Sequence, residues 1–349
     1  MRRQSMRRET VRRATIRRRT RTLGFTRLLL LAGALPFAIG SSLGIQPSWG
    51  APTQGGVINI SADLMSSNDD TRQYTASGNV ILEFTNGKIN ADKMTVQQAA
   101  SGALDWARCE NNVKFERSDP EAKTSLKGVC KTLDYYESQR KAIFLGGVKM
   151  DLSTPKLDEP ARITGSRIEM DLTTEENRVL GSAGEQARVK IKPRQADAAT
   201  PAEPVDLTAD LIVMNNKTQQ YVATGSPLLV RPTARLKAKE IKFELDPTGT
   251  DLRKASGNGD VVFDSKHPTG ALMHATADNA VFESQTNMVT LTGHVVASRT
   301  RPNDERPTVT QCEEFRYNLK TREGAALKAK SIVPENALPG RPGEVKKPQ

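Results

Sequence analysis

Residues 62–78, ADLMSSNDDTRQYTASG, return 147 residues later as residues 209–225, ADLIVMNNKTQQYVATG. Nine of the 17 positions are identical, among them Ala62/Ala209, Asp63/Asp210, Tyr74/Tyr221 and Gly78/Gly225. Unrelated segments of ordinary composition would share about one. The echo is part of a longer pattern. A small residue, a polar residue, any residue and then an apolar-x-apolar pair begin at Ala62, Ala91, Cys130 and Gly165. The pattern begins again at Ala209, Ala238, Ala277 and Cys312, and both sets are spaced by 29, 39 and 35 residues. An internal duplication explains this. It predicts two domains, near 57–191 and 205–330. The Ala/Pro-rich segment 192–204 reads as a linker, and a disordered tail is expected from 331. Each half is long enough for its own core.

Within each unit the apolar period is two. Val80, Leu82 and Phe84 share one face after Gly78, as do Val148/Met150, Val261/Phe263 and Val295/Ala297 after their own glycines. Turn signals such as Asn86-Gly87 and Asn258-Gly259 punctuate the runs. The apolar phase slips by one residue around Ala91, Ala209 and Ala277. Such a slip turns later side chains to the other face unless the strand bends there. Each long strand is therefore expected to bend at its small residue and serve two opposed walls. The fold class read from this is all-β: two tandem, folded-over antiparallel jelly-roll domains, open at both ends.

The formal charge of +11 does not imply a nucleic-acid partner. Residues 1–27 hold 11 Arg and one Glu, so the remainder carries a net charge of only +1. Residues 28–45 carry no charge and end in small residues, the layout of a secretory signal. A retained anchor is the alternative. Pro36 and the Gly/Ser-rich second half favour cleavage, expected after Gly50, with Met6 as an alternative start. The bulk of the chain is then placed outside the cytoplasm, in a periplasm. Of the three cysteines, Cys109 and Cys130 are near enough in sequence for a disulfide; the other reading is buried small hydrophobes.

The run INISADLMSSNDDTRQYTASGNVILEFTNGKINADKMTV (58–96) resembles the OstA-like family of periplasmic lipopolysaccharide-transport proteins, LptA and its relatives. The resemblance rests on Ala62-Asp63, Gly78-Asn79-Val80, and Ile89, Ala91, Asp92, Met94 and Val96. It recurs more loosely at 207–243 and 275–295. It implies a β-taco, a folded-over sheet whose groove holds lipid A acyl chains. It also implies edge-to-edge assembly with itself and with other jelly-roll components at the inner and outer membranes. Family members typically carry one such domain, whereas this chain carries two. In the second, Pro227 stands at the Val80 position, so that strand should be an edge or locally unpaired. The groove-lining candidates are Val80, Leu82, Phe84, Ile89, Met94, Val96, Ile168 and Met170. In the second half they are Leu236, Ile241, Phe243, Val261, Phe263, Phe282 and Phe315. The alternative is that some of these pack only against protein.

No cofactor is expected. His267, His274 and His294 are scattered, and no nucleophile elbow, phosphate loop or H-E-x-x-H motif occurs. Two other non-enzymatic readings stay open. One is an inner-membrane-anchored, LptC-like component of the same export system; the other is a structural β-repeat protein that binds no lipid.

Overall fold

The computed structural model describes residues 59–84, 86–155, 157–193, 203–215, 217–218, 220–245, 252–267, 269–302 and 306–332. The expected signal segment lies outside these residues, as does most of the linker; of the tail expected from 331, Ser331 and Ile332 belong instead to the last strand and the rest lies outside. Every regular element among the described residues is a β-strand, and all 22 strands belong to one antiparallel sheet. The first half gives β1 (Asn59–Ser61), β2 (Leu64–Asn68), β3 (Gln73–Phe84), β4 (Gly87–Gln98) and β5 (Leu104–Asp119). It continues with β6 (Thr124–Tyr136), β7 (Lys141–Ser153), β8 (Leu157–Asp171), β9 (Glu176–Leu180) and β10 (Ala187–Pro193). The second gives β11 (Val205–Ala209), β12 (Leu211–Asn215), β13 (Gln220–Thr224), β14 (Leu228–Val230), β15 (Ala234–Lys237) and β16 (Glu240–Leu245). It ends with β17 (Leu252–Lys266), β18 (Leu272–Glu283), β19 (Met288–Thr300), β20 (Thr308–Asn318), β21 (Gly324–Leu327) and β22 (Lys330–Ile332).

The sheet is creased along its length into two walls. Strands β3 to β8 and β17 to β20 cross the crease and serve both. The remaining strands meet end to end at the crease: β1 with β2, β9 with β10, β11 with β12, β13 with β14, β15 with β16, and β21 with β22. The result is 16 rungs, eight per repeat. The first wall passes from β8 through β9, β12, β13 and β16 to β17. The second passes from β8 through β10, β11, β14 and β15 to β17. The two repeats are therefore joined by strand pairing in both walls. At the usual strand spacing, 16 rungs span about 70 Å.

The crease has two kinds of side. All eight small-residue slots fall on odd-numbered rungs. Six even-numbered rungs carry two consecutive residues with positive φ. These are Gly78-Asn79, Asn111-Asn112, Gly146-Gly147, Gly225-Ser226, Gly259-Asp260 and Gly293-His294. Between the pairs Ser77↔Lys93 and Val80↔Ala91, the two residues Gly78-Asn79 stand opposite the single Asp92. This is a bulge, which inserts a residue and bends the strand. The bend expected at the slot is present, but the inserted residue sits on the neighbouring rung. The slot itself is small because it lies under the crease, where the walls converge. Ala91, Ala209, Ala238 and Ala277 are all buried there.

Pro227 lies between β13, which ends at Thr224, and β14, which starts at Leu228. Strand β14 has a partner on each side, β11 and β15, so the proline interrupts a central rung locally and does not mark an edge. Register is also held from outside. Glu83, Lys88, Glu116, Lys127, Asp151 and Arg162 are successive cross-strand partners on the outer face of the second wall. Alternating signs at opposed positions favour this register by roughly 0.2–1 kcal/mol per pair.

Candidate functional site

The space between the walls is lined almost wholly by apolar side chains. Val80, Leu82, Phe84, Ile89, Met94, Val96, Ile168, Met170, Leu236, Ile241, Phe243, Val261 and Phe263 are buried in it. Phe282 and Phe315 are half-buried and pack against the same core. The strand period puts them there: Val80, Leu82 and Phe84 alternate with outward Glu83 and Ile81, and their partners Ala91, Ile89 and Gly87 share that face. The core is one continuous cluster from Ala76 to Tyr317, crossing the junction between repeats through Val179, Ala187, Leu207 and Ile212.

In the second repeat the walls leave a cavity of about 40 Å³. Leu229, Leu236 and Phe263 come from one wall, and Leu252, Ala255, Ala280 and Val289 from the other. Arg231 lies beside it, its guanidinium 5.5 Å from the Phe282 ring centroid and 3.0 Å from Glu203. Sequence reading found Leu236, Phe263 and Phe282 here but missed the opposing Ala255, Ala280 and Val289, because strand pairing across the fold leaves no local signal.

The electrostatics agree with a dry interior. Burial pushes the thiols of Cys109 and Cys130 up to about 12, and raises that of Cys312. Burial and the neighbouring Glu137 likewise hold the Tyr135 hydroxyl protonated far above its ordinary range. All three cysteines are free. Cys109 stands opposite Leu133 and Cys130 opposite Val113, on either side of the Asn111-Asn112 bulge, so register gives neither the other as a partner. The bridge considered for Cys109 and Cys130 is not formed, and both occupy buried small-hydrophobe positions.

Among the described residues one fully buried side chain is polar. Asn177 on β9 is fully buried between its cross-strand partners Met170 and Met214. Neither its amide nitrogen nor its amide oxygen has a hydrogen-bond partner. Sequence reading passed over it, although it shares the parity of the inward Val179.

Among the described residues no group of His, Cys, Asp and Glu side chains is arranged to hold a metal ion. His274 and His294 are exposed, each beside a carboxylate, Asp264 at 2.7 Å and Asp278 at 2.8 Å.

Both ends of the sheet are open among the described residues. At one end Leu64 and Met65 of β2 are 64% and 46% exposed; at the other Leu327 and Ile332 are 58% and 63% exposed.

Fold and interior together define a class: a creased, two-walled β-sheet with a dry lining and two free edges, repeated in tandem. The chain belongs to the family described as LptA/(LptD N-terminal domain) LPS transport protein, whose model matches it twice, over residues 59–176 and 206–323. That family is one of transport components, not of enzymes, and membership makes this chain a component of lipopolysaccharide transport. Among solved structures the chain is similar to LptH from Pseudomonas aeruginosa, titled the LptA-homologous periplasmic component of the lipopolysaccharide transport device. That match has 12% identity and a TM-score of 0.33, and covers 38% of this chain and 96% of the other. Comparison with curated proteins finds no match.

Proposed function

We propose that this protein holds the acyl chains of lipopolysaccharide between its walls and bridges the inner and outer membranes by edge-to-edge assembly in the periplasm. The observation that carries the reading is the almost wholly apolar lining, which runs through both repeats and ends, among the described residues, at two apolar, unpaired edges. Each CH₂ moved from water into such a lining gains ~0.8 kcal/mol, so a lipid with several chains is held by length of contact without any catalytic group. A free strand edge offers backbone donors and acceptors to another sheet, and head-to-tail contacts of that kind propagate. Residues 1–50 act as the export signal in this reading. The segments 57–191 and 205–330 are two carrier units tied by the 192–204 linker.

In-cell photocrosslinking tests it, with the probe at Phe84, at Ile241 and at the outward Glu83. Adducts with lipopolysaccharide are expected at Phe84 and Ile241 and not at Glu83. Adducts at Phe84 alone would make the second repeat a docking module. A folded, exported protein with no lipid adduct at any position would sink the carrier reading.

A further inference from the structure

Asn177 contradicts its surroundings. Asparagine is disfavoured in strand interiors, and leaving both halves of an amide buried without partners costs free energy that an apolar residue of similar size would not. Among the described side chains, only Asn177 has two buried polar atoms that both lack a partner. Its neighbours offer none: Met170 and Met214 flank it across the strands, Val179 follows it on the same face, and Ile168 and Ile212 are the next residues inward on the adjoining strands. Its place is also particular. Rung eight, built from β9 and β10, is the last rung of the first repeat, where the two matched halves of the sheet join. The 147-residue offset puts Gly324 at the same position of the second repeat, so the chain carries this amide once.

We propose that Asn177 is a hydrogen-bonding station for the acyl chain that occupies the groove, selecting a chain that carries a hydroxyl or an amide. This rests on the carrier reading above. The chemistry follows from the two unsatisfied atoms. Nδ2 needs an acceptor and Oδ1 needs a donor. A plain hydrocarbon supplies neither, and an ester supplies only the acceptor. A hydroxyl or a secondary amide supplies both. Among the described residues the walls are joined only by the strands that pass through the crease, and no strand of one pairs with the other away from it, so a chain reaches Asn177 by parting them from the unpaired side.

The experiment uses the full chain and two probes, 3-hydroxymyristic acid and myristic acid, titrated by calorimetry against the native protein and Asn177→Leu. Native protein should bind the hydroxylated acid about three- to tenfold tighter, the worth of one net hydrogen bond. Asn177→Leu should bind the two acids equally, with an unchanged or higher Tm. Asn177→Ala serves as the second variant should leucine overfill the site. If native protein binds both acids equally, Asn177 is no station and the carrier reading survives. A preference that persists in both variants also overturns the assignment, because another group must then read the hydroxyl. Binding of neither acid would fell the carrier reading and the station with it.

Discussion

Asp63 and Gly78 meet at the crease, on the first two rungs. Asn79 donates from Nδ2 to Asp63 Oδ2 at 2.9 Å, and the Asp63 amide donates to the Gly78 carbonyl at 2.8 Å. Gly78 has φ +74°, and a Cβ built on it would lie 2.4 Å from Asp63 Oδ2. Gly78→Ala should therefore cost about 1–2 kcal/mol for the backbone alone, and more for the contact. Adding Asp63→Ala should recover part of the second cost and none of the first, which urea denaturation of the double-mutant cycle would show. A fully additive cycle would refute the contact. The slots on the odd rungs were legible because a small residue recurs there at fixed spacing. The partner positions were legible only where glycine marks them. Asn111 and Asn112 make the same bend with no glycine, since asparagine tolerates the left-handed region. Asn177 was legible in parity, yet a single polar residue in an alternating run carries no signal of what it faces.

At the scale of strands, the junction between the repeats supplies a template for the edge-to-edge assembly proposed above. Within the molecule β9 pairs with β12, and Leu180 stands opposite Leu211. The 147-residue offset carries Leu180 to Leu327 and Leu211 to Leu64, the two exposed leucines of the free edges. Two copies joined as the two repeats are joined would bring Leu327 of one against Leu64 of the next. Opposed antiparallel residues lie about 4.5–5.5 Å apart at Cα, within disulfide range. Leu64→Cys mixed with Leu327→Cys should thus give an interchain disulfide under mild oxidation. Leu64→Cys mixed with Leu272→Cys, also on an exposed leucine, should not. Equal crosslinking of both mixtures would reject the register. Sequence alone announced the strands by their period but not this pairing, because period two says which face a residue takes and nothing about its neighbour.

For the molecule as a whole, the outer carboxylates give stability a direction with pH. Burial alone would raise Glu169, but its hydrogen bond and ion pair with Lys141 at 2.7 Å, with Arg167 at 2.7 Å, hold it below its ordinary 4.5. Asp171, on the same strand, is also held low against its burial, by the amides of Thr174 and Thr173. Depressed carboxylates favour the folded state fully above their unfolded pKa, and that contribution fades as pH falls through the folded values. Tm should fall as pH drops from about 5 toward 3. Glu169→Gln should start lower at neutral pH and fall less steeply, and a parallel shift of the whole curve would deny Glu169 its part.

The alternation of the crease has a consequence for direction. Among the described residues an even number of rungs gives the sheet unlike ends: one closes on a slot, Ala62-Asp63, and the other on β21 and β22, whose link includes Lys328 at φ +53°. Two copies meeting by their Ala62-Asp63 ends would set slot against slot, and the crease would lose its alternation there. Only unlike ends continue it. In the row proposed above, parity would thus tell one end from the other by the count of strands, with no residue needed to mark front from back.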